Sequence, residues 1–140
     1  MSVFTDQAVL TVSIDGEADL LRVRSVLRAE AQQVGLGLTA ATKLVTAGSE
    51  LARNIIRYAT HGQGAMAVER LGREDRLGVR AVFTDDGPGI ADLDLVMRDG
   101  YSTGGSLGLG LPGSRRLVDE FSIDSSPGQG TRVVIAQWAR

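Results

Sequence analysis

The chain has 140 residues, 43% of them apolar and 23% charged, with a formal net charge of -2. That length suits a single domain, and the near-neutral balance gives no electrostatic basis for a nucleic-acid or membrane partner. It contains no cysteine and one histidine, His61, which excludes disulfides, thiolate metal sites and multi-histidine centres.

Ala8–Ile14, AVLTVSI, alternates well enough to predict a strand, and Asp15-Gly16 predicts a turn. Leu20, Leu21, Val23, Val26, Leu27 and Ala31 then recur at helical spacing, predicting an amphipathic helix that stops near Gly35. Thr39 is the expected N-cap of a longer second helix, AATKLVTAGSELARNIIRYA, which ends at HGQG. AMAVERL and LGVRAVF read as a hairpin around the charged turn GREDR. ADLDLVMRDG predicts a short helix with Leu93, Val96 and Met97 on one side. A glycine-rich loop follows, then a helix SRRLVDEF, then two strands around a Ser-Pro-Gly turn. The order lacks βαβ alternation, which argues an α+β two-layer sandwich with helices on one face of a mixed sheet. Neither linker nor repeat divides the chain, so residues 1–140 are expected to form one domain. No stretch approaches the ~20 apolar residues of a membrane span. The opening residues lack a basic segment followed by an apolar core, so a cytoplasmic location is expected.

The loop YSTGGSLGLGLPG poses the functional question, because glycine at that density has a conformational cost. Gly108, Gly110 and Gly113 fit G-x-G-x-x-G, but no strand precedes them, as a dinucleotide fingerprint requires. The G-K-[ST] of a P-loop and the V-A-I-K, H-R-D and D-F-G contexts of eukaryotic-type kinases are absent. A flexible surface loop would explain the glycines but not the arginine pair Arg115-Arg116 of the helix that follows.

Three further patterns sharpen the choice. In ELARN, Glu50 and Asn54 stand four apart, which puts a carboxylate and a carboxamide on one helical face. After a strand, DDGPG gives Asp85, Gly87 and Gly89 in D-x-G-x-G, and near the C-terminus Gly130-Thr131 opens a strand. Four boxes in this order, over essentially the whole chain, resemble the N box and glycine boxes of the GHKL superfamily, whose ATP site is the Bergerat fold. The sequence is more similar still to the RsbT-type serine/threonine switch kinases of the stressosome.

The resemblance implies a Bergerat-type, ATP-binding kinase domain and a role for each box. Asp85 would accept a hydrogen bond from the adenine exocyclic amine, where guanine presents a repelled carbonyl, with Thr131 completing the network. Gly87 and Gly89 would let the backbone approach base and ribose. Asn54 would hold Mg2+ bridging the phosphates. Glu50 would orient or deprotonate the acceptor hydroxyl. Ser102, Thr103, Gly104, Gly105, Ser106, Leu107, Gly108, Leu109, Gly110 and Leu111 would form an ATP lid, with backbone N–H groups at a helix N-terminus turned to phosphate. Each residue keeps a bland alternative: Asp85 as a turn aspartate, Asn54 as a helix-surface amide, Glu50 as a surface glutamate paired with Arg53 or Arg57. Arg115 and Arg116 fit phosphate, a partner or solvent equally.

The implied function is a protein-serine/threonine kinase that phosphorylates a STAS-domain, RsbS-like partner on a stressosome scaffold. It would then switch to a PPM-type phosphatase or another output enzyme. The alternative within the superfamily is an anti-sigma factor kinase of the RsbW or SpoIIAB type.

Overall fold

The computed structural model describes residues 4–5, 9–59, 63–89, 97 and 110–140. His61, the expected short helix over 91–100 apart from Met97, and the loop from Tyr101 to Leu109 lie outside them.

The described elements are β1 (Phe4–Thr5), β2 (Leu10–Ile14), α1 (Asp19–Val34), α2 (Leu38–Tyr58), β3 (Gly64–Arg73), β4 (Arg76–Asp85), α3 (Gly110–Leu117), β5 (Glu120–Ser125) and β6 (Thr131–Trp138). Their sheet runs β1-β3-β4-β6-β5, with β2 also paired to β3. β1 takes Leu71 and Gly72 of β3, and β2 takes Gly64 to Val68, so the two lie end to end along one edge.

Every pairing among the described strands is antiparallel, which corrects the expected mixed sheet. The reason lies in the connections. β3–β4 and β5–β6 are hairpins, and the helix pair between β2 and β3 returns the chain to the end it left, so β3 runs back along β2. β5 points the same way as β4, but β6 lies between them.

α1 buries Leu20, Val23, Leu27 and Ala31 of the predicted stripe and adds Val34, while Val26 is only partly buried and Leu21, 70% exposed, faces away from the core. Its end is closed by the Leu36 N–H reaching back to the Ala31 carbonyl at 2.9 Å, with Gly35 left-handed. α2 begins two residues earlier than expected, at Leu38 rather than Ala40. Gly37 is its N-cap, and the Ala41 N–H bonds the Gly37 carbonyl at 2.9 Å, so Thr39 sits inside the first turn and caps nothing. α3 is also shifted: it runs over Gly110–Leu117 rather than from Ser114 to Phe121. Asp119 ends it by accepting from the Trp138 N–H at 2.8 Å, after which Glu120 and Phe121 pair with β6 as strand.

The core lies between α1, α2 and one sheet face, built on Val12, Ile14, Met66, Val68, Val79, Ala81, Phe83, Val133 and Ile135 with the helix stripes. Two buried polar groups tie the layers. Gln137 of β6 accepts from the Asp119 N–H (2.8 Å) and donates to the Ala40 carbonyl (3.2 Å), joining β6 to α2. Glu30 of α1, 3% exposed, meets Arg70 of β3 at 2.9 Å.

A buried carboxylate that loses its cation destabilises far more than the intact pair stabilises. Arg70→Leu should therefore cost about 3 kcal/mol in urea denaturation, and the double variant Glu30→Met/Arg70→Leu should recover most of it. A single variant as stable as the parent would contradict this.

Candidate functional site

The site is built at the end of the sheet where β4 stops. Asp85 is the last residue of β4, paired in register with Gly64 of β3 and Thr131 of β6; Thr131 in turn pairs with Ser125 of β5. Opposed residues of antiparallel strands share a face. Asp85 follows Val79, Ala81 and Phe83 at period two, so this row turns to the helix side of the sheet.

The row is held by contacts a side chain would destroy. Gly130 has φ +75°, and a Cβ there would stand 2.1 Å from the Asp85 carbonyl oxygen. Gly89 has φ +78°, and its Cβ would lie 2.0 Å from the Ser126 carbonyl oxygen. The Gly128 N–H donates to the Pro88 carbonyl at 2.7 Å. The D-x-G-x-G segment is thus clamped onto the β5–β6 turn, and the space beside Gly89 is filled by Ser126. Gly87 acts through its backbone instead, its N–H donating to Asp85 Oδ1 at 2.8 Å.

Burial pushes the Asp85 carboxyl above its ordinary value of 3.8; the Gly87 N–H pulls it partly back, and the charge of Asp86 adds a smaller upward push. Beside it, Thr131 Oγ1 and Ser125 Oγ are 2.8 Å apart, and Ser125 Oγ donates to the Gly130 carbonyl at 2.9 Å. Ser125 and Gly64 were not singled out from the sequence. The signal for Ser125 was the turn SSPGQGT, whose length places it opposite Thr131.

α2 supplies the second half. Ile55 reaches the row: a Cβ on Gly64 would lie 2.9 Å from Ile55 Cγ2 and 3.2 Å from Asp85 Cβ. Asn54, one residue earlier, is half-buried. One turn back, Glu50 is 6% exposed, and its Oε1 accepts from Arg53 Nη1 at 2.6 Å. The anticipated Arg53 pairing is present, but on a buried glutamate rather than a surface one.

Of the lid residues, Ser102, Thr103, Gly104, Gly105, Ser106, Leu107, Gly108 and Leu109 lie outside the described residues. Gly110 opens α3 with φ +66°, and Leu111 packs against the core. Ser114, fully buried, donates to the Gly110 carbonyl at 3.0 Å. Arg116 makes contacts of its own, and Arg115 is exposed.

A cleft of about 700 Å³ lies between α1 and α2, and Glu50 and Arg53 are on its wall while Asp85 is not. Among the described residues, no three acidic or histidine groups gather to hold a metal ion, and no helix is long and apolar enough to cross a membrane.

The histidine kinase-, DNA gyrase B- and HSP90-like ATPase family matches residues 39–139. The chain is 43% identical over 129 residues to the serine/threonine-protein kinase RsbT of Bacillus subtilis, covering 92% of this chain and 96% of that one. It is 25% identical over 119 residues to the anti-sigma F factor of Caldanaerobacter subterraneus subsp. tengcongensis, covering 82% of each. Among solved structures, the RsbU and RsbW domains of a Mycobacterium tuberculosis protein align with TM-score 0.65 and 22% identity over 94% of this chain, which spans 32% of that longer one. The mycobacterial sensor histidine kinase MprB aligns with TM-score 0.56 and 19% identity, covering 95% of this chain and 99% of that one. The last two likenesses are of fold. The chain therefore belongs to the histidine kinase-, gyrase B- and HSP90-like ATPase family, in its RsbT-type serine/threonine-protein kinase branch.

Because Asp85 binds a proton more readily folded than unfolded, its contribution to stability falls as pH rises through its folded pKa and is regained below 3.8. Asp85→Asn keeps an oxygen for the Gly87 N–H and removes the charge. Nucleotide-free, this variant should melt above the parent at neutral pH, and the gap should close as pH falls toward 3.8. Scanning calorimetry checks this; a lower melting temperature at neutral pH would refute it.

Proposed function

We propose that the chain transfers the γ-phosphoryl group of ATP to a serine or threonine hydroxyl on a small STAS-domain partner. It thereby acts as a partner-switching kinase. The observation that carries this reading is the row Asp85, Thr131 and Gly64 at the end of the sheet, against the stretch of α2 that bears Glu50 and Asn54. A partly buried carboxylate beside a hydroxyl pair is the chemistry that reads an adenine amine and rejects a guanine carbonyl. The Gly87 N–H holds Oδ1, which leaves Oδ2 to accept the amine.

Asn54 is the residue that would hold magnesium. One neutral carboxamide suits an ion that brings most of its ligands as phosphate oxygens and water. When bound, magnesium would offset the charge of the phosphates. In the transfer, the acceptor oxygen bonds to the γ-phosphorus as the bond to the β,γ-bridging oxygen breaks, releasing ADP, and the hydroxyl proton passes to Glu50. The N-terminus of α3, entered through the lid, would turn N–H groups to phosphate; Pro112 in its first turn needs no intrahelical donor.

The resemblance to RsbT supports the wider reading: after the STAS partner is phosphorylated, the kinase is released to a PPM-type phosphatase or another output protein, in the cytoplasm. The similarity to an anti-sigma F factor supports a second reading, in which the same site serves sequestration of a sigma factor. Capture of a sigma factor rather than a STAS protein would select it.

Glu50→Ala should keep Mg-ATP binding and lower phosphotransfer by about 10²–10⁴-fold. Asp85→Asn should lose ATP binding in a fluorescence titration. Undiminished transfer by the first variant, or tight binding by the second, would reject the corresponding role.

A further inference from the structure

We propose that the cleft between α1 and α2 receives an acidic segment of the acceptor protein, and that this segment draws Arg53 off Glu50. The proposal rests on the assignment of Glu50 as the group that takes the acceptor proton.

The cleft, of about 700 Å³, is lined by Arg24 and Arg28 of α1 and by Thr42, Thr46, Glu50 and Arg53 of α2, among others. Three guanidiniums stand there against one carboxylate, so charge complementarity selects an anionic occupant. Arg24 is anchored, its Nε donating to Ser49 Oγ at 3.0 Å, and Ser49 is itself fixed on the Val45 carbonyl at 2.8 Å. Arg28 is exposed at the wall.

Glu50 belongs to two surfaces. On an ideal helix Thr42, Thr46 and Arg53 lie within about 80° of it on the cleft side, and Asn54 lies about 40° round on the other. Ile55, beyond Asn54 in the chain, packs on Gly64 beside Asp85. A hydroxyl carried along the cleft therefore reaches the carboxylate from the side away from the adenine row.

In the chain as it stands, that carboxylate is engaged. Arg53 Nη1 is 2.6 Å from Glu50 Oε1, and the glutamate side chain is only 8% exposed. The Arg53 side chain is 25% exposed and can turn outward without crossing the core. An acceptor carboxylate in the cleft offers Arg53 a replacement partner, so the guanidinium stays paired while Glu50 is freed. Oε1, no longer taken by Arg53, is then open to accept the hydrogen bond of the acceptor hydroxyl. Arg53 is thus a positioning residue that couples acceptor docking to the readiness of Glu50 and restrains attack by water when no acceptor is present.

The test uses the full chain, Mg-ATP and a purified STAS-domain protein as acceptor. Arg28→Glu should raise KM for the acceptor at least about tenfold, with the dissociation constant for Mg-ATP unchanged. Arg53→Ala should raise acceptor-free ATP hydrolysis several-fold and also raise KM for the acceptor; Arg53→Lys should restore low hydrolysis. An unmoved KM in Arg28→Glu, or hydrolysis by Arg53→Ala no faster than the parent's, would overturn the proposal. Glu50→Ala separates the two claims. If it still transfers phosphate, the assignment of Glu50 fails; if it is inactive while Arg28→Glu behaves as the parent, the cleft alone fails.

Discussion

The register between β4 and β6 is the constraint on which the site depends. It sets Asp85 opposite Thr131, and through β5 it sets Thr131 opposite Ser125. A slip of one residue would turn Asp85 to the outer face and bring Thr84 inward, since side chains alternate along a strand. The register is fixed twice. Phe83, Val133 and Ile135 must stay in the core, and Gly130 must sit where its missing Cβ leaves room for the Asp85 carbonyl. The hydrophobic layer and the site are therefore specified by the same pairing, and neither can move without the other.

α2 extends that logic to the second half of the site. Over 21 residues it presents core on one side and the cleft wall on the other, with Glu50 where the two meet. A carboxylate at such a boundary has little water and needs a partner, which Arg53 provides at 2.6 Å. Its burial follows from packing, because Leu51 and Ala47 beside it are core residues. The same packing keeps the carboxylate within about a turn and a half of Ile55, which reaches Gly64 beside Asp85.

Much of this was legible in the sequence because the signals were periodic or chemical. The stripes of α1 and α2 repeat at helical spacing, ELARN fixes two side chains on one helical face, and DDGPG follows an apolar strand. What was not legible was set by contacts distant in the chain. The strand directions depend on how the helix pair returns the chain, which local pattern does not encode. The end of α3 depends on Asp119 meeting Trp138, and the residues after it could be read as helix until β6 claims them. Thr39 is a good cap by type, yet Gly37 supplies the first carbonyl of the helix. Arg53 was visible as a neighbour of Glu50, but its meaning changes with burial: on a solvated helix such a pair contributes little, whereas here it governs a group nearly removed from water.

The two carboxylates of the candidate site are held in contrasting ways, and the contrast fits the roles proposed for them. Asp85 accepts one backbone N–H at Oδ1 and is otherwise raised by burial, so the fold supplies part of what a charged group needs and an amine donor would supply more. Glu50 has a full cation at 2.6 Å on Oε1. An incompletely satisfied acceptor favours binding, because a new hydrogen bond is gained without breaking one inside the protein. A satisfied one favours restraint, because its partner must first be exchanged. Under the proposed assignments, placing the first at the end of a strand and the second on the wall of a cleft would let one small fold take up nucleotide while its other carboxylate stays paired with Arg53.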